Sequence, residues 1–307
     1  MIDFLTPLGE QMRNLFNLFD VDYSYYEDTE GEKKHVEFIT RGFDTDSEDQ
    51  VRLLASICYH IQTGFWSSSI NTLSQLQPDL DLDFELEQSI HEYFSGSSFG
   101  LLEERKEHFQ NQRNPFILEV LANCMLFSVE KTPNFDFVLR AMNKIHLSSK
   151  IQGLDAAAIA STASSEYYII VGEAKNRDIP SQGTSEAFEA FQKHDSGRTW
   201  ADIRQLVGLI SEAARLSNNN GVELTRTLSK WSVWKDRYIY RLTIEHKTKK
   251  PHGGSQFKDY HQYTQNVVEP ERRQCESFGT KRLTEFYEKV SRLIVEYIES
   301  KGEKESA

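Results

Sequence analysis

One stretch of the chain, Gly153 to Lys175 (GLDAAAIASTASSEYYIIVGEAK), holds acids and a lysine in an order that could do chemistry on a charged substrate. Asp155 opens a run of small residues. After a polar turn at Ser164 and Ser165 comes a β-branched and aromatic run, Tyr167 to Val171, which ends in Gly172-Glu173-Ala174-Lys175. Apolar runs bounded in this way read as buried strands. Alternate residues share a face of a strand, so Glu173 and Lys175 stand on one side. A carboxylate and an ammonium at the end of an apolar strand are costly to bury without partners. If the run after Asp155 pairs with this strand as a hairpin, Asp155 is the natural third member. Two carboxylates and a lysine converging there would suit a hard divalent cation and an activated water.

The order Asp155, a gap, then Glu173-Ala174-Lys175 resembles the PD-(D/E)XK nuclease superfamily, whose pattern is an Asp, a variable gap and (Asp/Glu)-X-Lys. That superfamily commonly adds an upstream helical Glu, and Glu119 sits in a suitable helix. The apolar run ending in GEAK, followed by a helix beginning near Ser185, is also similar to the nuclease subunit of Hachiman-type anti-phage systems (HamA) and its AbpA-like relatives. The likeness covers residues 113 to 216, and the N-terminal part supplies no matching motif. It implies an α/β (α+β) fold with a restriction-endonuclease-like core, a mixed central sheet flanked by helices. It further implies a Mg²⁺- or Mn²⁺-dependent deoxyribonuclease, an antiviral effector working on DNA with a helicase or ATPase partner. On this resemblance Asp155, Glu173 and the Ala174 carbonyl hold the cation, and Lys175 positions or helps deprotonate the water. Glu119 binds the metal directly or through water. RecB-like branches add a Gln on a later helix; Gln205 is the nearest equivalent, although Leu209 takes the place of the Tyr in that pattern. The alternative is a non-catalytic nuclease-fold scaffold, or a regulatory or nucleic-acid-binding protein.

These residues need elements to place them. Asn114-Pro115 reads as the start of a helix, FILEVLANCMLFSV, apolar almost all round, with Glu119 the only charge in its middle. Two readings of Glu119 stay open: an exposed stripe, or a side chain aimed at Asp155 and Glu173. Asp136 to Met142 reads as the first core strand. A loop from Asn176 to Gly183, a helix from Ser185 to His194 and another from Trp200 to Leu216 follow. Tyr238 to Ile244 alternates as a strand inside a basic, aromatic segment, Arg226 to Lys250. That segment suits phosphates and bases, or is a half-buried strand with solvated charges. The last helix, Thr280 to Ser300, carries one wide apolar stripe that packs on the domain or docks a partner.

In the front part, a short helix, an acidic loop (Glu27 to Lys33) and a strand (His35 to Thr40) precede a helix from Glu48 to Ile61 capped by Ser47. The acids at Asp79, Asp81, Asp83 and Glu85 lack the glycine and spacing of a calcium loop and read as a solvated face. Ser95-Gly96-Ser97-Ser98 suggests a boundary, giving an acidic N-terminal α/β module (residues 1–98) and a nuclease-like domain (residues 99–307).

Charge supports that division. The chain has 307 residues and a net charge of −12, but up to Glu130 there are 24 acids against 8 bases, and beyond it 23 against 27. Such asymmetry fits an acidic module beside one that handles nucleic acid. Three scattered cysteines, Cys58, Cys124 and Cys275, imply neither a disulfide framework nor a CxxC metal site. The start lacks the basic and apolar regions of a signal peptide and no run is long enough to span a bilayer, so a cytoplasmic location is expected. No P-loop or GxGxxG is present, so ATP hydrolysis is expected of a partner rather than of this chain.

Overall fold

Strands drawn from residues 20 to 279 build one sheet, and helices close both of its faces. The computed structural model describes residues 8–76, 82–142, 145, 154–164, 166–196, 237–246, 254–280 and 282–305. Elements run in the order α1 (Leu8–Phe16), β1 (Asp20–Glu27), β2 (Lys33–Arg41), α2 (Glu48–Leu76), α3 (Leu82–Ser95), α4 (Leu102–His108), α5 (Asn114–Met125) and β3 (Val138–Met142). They continue with β4 (Ala156–Ser161), β5 (Tyr167–Arg177), α6 (Pro180–Asp195), β6 (Tyr238–His246), β7 (Arg273–Gly279) and α7 (Leu283–Glu305). The predicted helix Trp200–Leu216 with Gln205 lies outside the described residues. So do Arg226, Lys230, Trp231, Trp234, Lys235, Lys247, Lys249 and Lys250 of the basic segment.

The seven strands lie in the order β1-β2-β7-β6-β5-β4-β3. β2, β7, β6 and β5 are parallel, and each edge is finished by antiparallel pairing: β1 on β2, and β4 and β3 beyond β5. The fold is therefore mixed α/β. Parallel strands need cover on both faces, and every residue of β6 is buried. On one face Ala187, Phe188 and Phe191 of α6 and Tyr260 pack on Ile159, Val171, Leu242 and Ile244. On the other, Leu126 and Val129, just beyond α5, cover Ala156, Ala158, Ile170 and Ile239. A third cluster joins Leu15 (α1), Leu54 and Ile57 (α2), Ile90 (α3), Val120 (α5) and Val290 and Ile294 (α7). The last helix thus packs within the chain.

The segments on either side of residue 98 share this sheet and this third cluster. The turn at Ser95–Ser98 is a turn between α3 and α4, with Gly96 at φ +66°.

Several elements differ from their sequence reading, the helix from Glu48 among them, which runs to Leu76. β1 (DVDYSYYE) is too polar to announce itself and forms because it pairs along the whole of β2. β7 (RQCESFG) carries Arg273, Gln274 and Glu276, yet all are buried. They are satisfied by one another's neighbours: Arg241 bonds Glu276 at 2.6 Å, and Thr243 donates to Glu276 at 2.8 Å. The helix predicted from Asn114 begins instead at Leu102 and passes through a π turn, Phe109–Arg113, into α5. In a regular helix Pro115 would collide with the carbonyl of Asn111, and the wider turn lies where that strain falls. Arg113, 1% exposed, fixes it by bonding Glu288 of α7 at 2.6 Å. Finally, β5 runs on to Arg177 and α6 starts at Pro180, so little loop remains between them.

β4 and β5 approach closely because Gly172 has no side chain. A Cβ there would meet Ala156 Cβ at 2.8 Å and the Ala156 carbonyl at 3.0 Å, which is backbone that cannot move aside cheaply. Gly172→Ala should therefore lower stability by about 1–3 kcal/mol. The expected observation is a lower urea midpoint at unchanged slope. Gly9→Ala in α1, with nothing within 4 Å, should leave the midpoint unchanged or raise it.

Candidate active site at the end of β5

The antiparallel register of β4 on β5 begins at Ala156 opposite Gly172. One step further out, Asp155 comes to face Glu173. The Asp155 Oδ2 accepts a hydrogen bond from the Ala174 backbone N–H at 2.9 Å and from Lys175 Nζ at 3.0 Å. Lys175 Nζ also donates to Glu173 Oε2 at 2.5 Å. Three of the sequence-derived residues are thus gathered around one ammonium. Asn123 of α5 anchors the group from the other side: its Nδ2 donates to the Asp155 carbonyl at 3.1 Å and to the Glu119 carbonyl at 2.8 Å.

Glu119 does not sit on an exposed stripe. It is 9% exposed and borders the same cleft as Asp155, Ala174 and Lys175. It is not, however, drawn into one coordination shell with Asp155 and Glu173. Among the described residues, the only three metal-type ligand atoms all within 4.8 Å of one another belong to His35, Glu37 and Cys275. The cleft has a volume of about 640 Å³ and is walled by the π turn (Gln110, Asn111), the start of α5, the end of β5, the first turns of α6, and α7.

With both carboxylates ionised, the trio would carry one negative charge in excess, and burial resists that state. Burial, and then the charge of Asp155, push the Glu173 carboxyl up to about 8, with Lys175 working the other way. Burial opposes the charge on Lys175, but Glu173 and Asp155 outweigh it and raise its pKa. Such a group favours an added positive charge. One ammonium already reaches both carboxylates at 2.5 and 3.0 Å, and Mg²⁺ binds oxygen at about 2.0–2.1 Å, commonly through only one or two protein carboxylates. Asp155 and Glu173 therefore fit a hard divalent cation, with the Ala174 carbonyl on the same strand end as a further oxygen donor.

Sequence reasoning missed the opposite wall. Asn176, next after the Glu-Ala-Lys triplet, donates from Nδ2 to Tyr287 Oη at 2.8 Å, and that hydroxyl in turn donates to the Glu245 carboxylate. Asn176 and Tyr287 line the cleft, while Glu245 is buried beside Asn176 in the β5–β6 register. Tyr287 reads in sequence as one more apolar residue of α7, and only the sheet register could have paired Glu245 with it.

The chain matches no family model and no curated protein.

Burial pushes the Glu245 carboxyl up to about 7, against the hydrogen bond from Tyr287. The folded state thus holds this proton more tightly than the unfolded one. The contribution is fully present below the ordinary carboxylate range and is lost as pH rises through about 7. In metal-free buffer the wild-type Tm should fall relative to that of Glu245→Gln between pH 5 and 8, as measured by calorimetry. A constant difference between the two would remove this assignment.

Proposed function

We propose that the chain is a metal-dependent nuclease that hydrolyses phosphodiester bonds in DNA. The observation that carries this reading is the joining of Asp155, Glu173 and Lys175 at a strand end that borders an open cleft. The unit α5–β3–β4–β5–α6–β6 is assigned to a restriction-endonuclease-like core. It comprises a helix, an antiparallel meander, a crossover helix and a strand parallel to β5. The resemblance of the Asp155…Glu173-Ala174-Lys175 pattern to the PD-(D/E)XK superfamily supports the same reading.

In this reading Asp155, Glu173 and the Ala174 carbonyl hold Mg²⁺ or Mn²⁺, and Glu119 joins through a water. When bound, the cation polarises the scissile phosphate and lowers the pKa of a water. Lys175, released from one of its two carboxylates, orients the attacking water and offsets charge that develops on the phosphate. Gln182 in the first turn of α6 lines the cleft as a neutral donor, with Asp178 and the paired Arg177 and Glu186 on the same wall. Asn176 and Tyr287 close the opposite side with neutral donors and acceptors. The chain acts in the cytoplasm as an anti-phage effector, beside a helicase that supplies the ATP-driven step.

Glu173→Ala and Lys175→Ala should each lower Mg²⁺-dependent cleavage by at least about a hundredfold, with circular dichroism and the urea midpoint showing a folded protein. The assay is degradation of plasmid and of single- and double-stranded oligonucleotides, with EDTA as control. Undiminished cutting by Glu173→Ala would place the chemistry elsewhere. A folded wild type that binds DNA without metal and cuts none would select the non-catalytic scaffold.

A further inference from the structure

A second cluster of ligand-type side chains lies across the sheet, where β2 meets β7. His35 and Glu37 are two apart on β2 and therefore share a face. Cys275 of β7 is the register partner of Glu37. One ligand atom from each lies within 4.8 Å of the other two. His35 and Cys275 are wholly buried, and the Glu37 side chain keeps 13% exposure, which leaves a path in from solvent.

We propose that His35, Glu37 and Cys275 form a transition-metal site, of the kind that takes Zn²⁺, which staples the N-terminal hairpin to the rest of the sheet. Imidazole, carboxylate and thiolate together suit a borderline-soft cation and not Mg²⁺. The charges close: a thiolate and a carboxylate neutralise a divalent ion, and the imidazole enters neutral. On binding, the Cys275 S–H proton leaves to solvent and the thiolate lone pair forms the bond to the metal.

Three features favour a ligand here over a plain hydrogen bond. The His35 ring has one nitrogen 3.2 Å from Glu37 Oε1, while its Nδ1 is buried with no hydrogen-bond partner. A carboxylate oxygen only accepts, so the 3.2 Å contact sets Nε2–H as the donor and leaves Nδ1 as an unused buried lone pair that a cation could take. An aromatic shell surrounds the ring, with Tyr26 stacked on it at 4.9 Å and Tyr260 at 5.8 Å; apolar shells of this kind exclude competing water from metal sites. The seam itself is short. β2 and β7 share only three register pairs, against seven between β7 and β6, and the cluster draws ligands from both sides of that weak join.

The test takes the full-length chain, strips it with a chelator and titrates it with Zn²⁺ and with Co²⁺ as a coloured probe. The expected result is one equivalent of Co²⁺ with a thiolate-to-metal charge-transfer band, displaced by Zn²⁺, and a higher Tm with Zn²⁺. Cys275→Ala should lose the band, Cys58→Ala should keep it, and Glu37→Gln should weaken Co²⁺ binding about tenfold or more. Glu173→Ala should leave the band untouched, which separates this site from the proposed nuclease centre. A folded wild type with no thiolate band would overturn the proposal, as would a band that survives in Cys275→Ala. Should Cys275→Ala fail to fold, Glu37→Gln at its partly exposed position decides, and unchanged Co²⁺ affinity there would overturn it.

Discussion

An ammonium shared by two carboxylates at a strand end is the interaction on which the site depends, and it exists only because β4 and β5 meet in one register. A slip by one residue would turn every side chain of β4 to the opposite face. Asp155 would then leave Glu173, the Ala174 N–H would lose its acceptor, and Lys175 would face one acid alone. Gly172 sets how near the two strands come, and Ala156 is the surface it approaches. Register, close approach and charge are therefore one constraint seen three ways. The Asn123 side chain extends it to α5, because the same amide holds the carbonyls of Glu119 and Asp155.

Much of this was legible in the residues. The apolar run Tyr167–Val171 announces its strand, the Ser turn before it announces a hairpin, and alternation puts Glu173 and Lys175 together. The apolar stripes of α6 and α7 were equally plain. Legibility ended where polar residues are buried. β7 hides because Arg273, Gln274 and Glu276 look like surface, and the partners of Gln274 and Glu276, Arg241 and Thr243 among them, come from a strand distant in sequence. β1 hides because its stability comes from its neighbour and not from an apolar face of its own. The helix boundary was misplaced at Asn114 because a proline after a good capping residue is the usual sign of a start. Here a π turn absorbs the same proline within a longer helix.

Glu119 shows how a site can be half readable. Its helix was clear, and its burial followed from an apolar surround. Its distance from Asp155 and Glu173 depends on how α5 lies across the sheet, which is set by Arg113, Glu288 and the π turn together. No local pattern carries that information.

The sheet order has a bearing on how the protein is made. β2 finds its parallel neighbour only in β7, and the cluster holding α1, α2 and α3 is completed only by α7 at the far end of the chain. A chain leaving the ribosome therefore presents its first hundred or so residues without these late partners, β7 and α7, for most of elongation. Contacts of such long sequence separation form late. The cleft shares this dependence, since Tyr287 of α7 supplies part of its wall. A chain ended before β7 would lack that wall and the seam together, and one ended between β7 and α7 would lack the wall alone, so synthesis itself withholds a complete cleft until α7 has emerged.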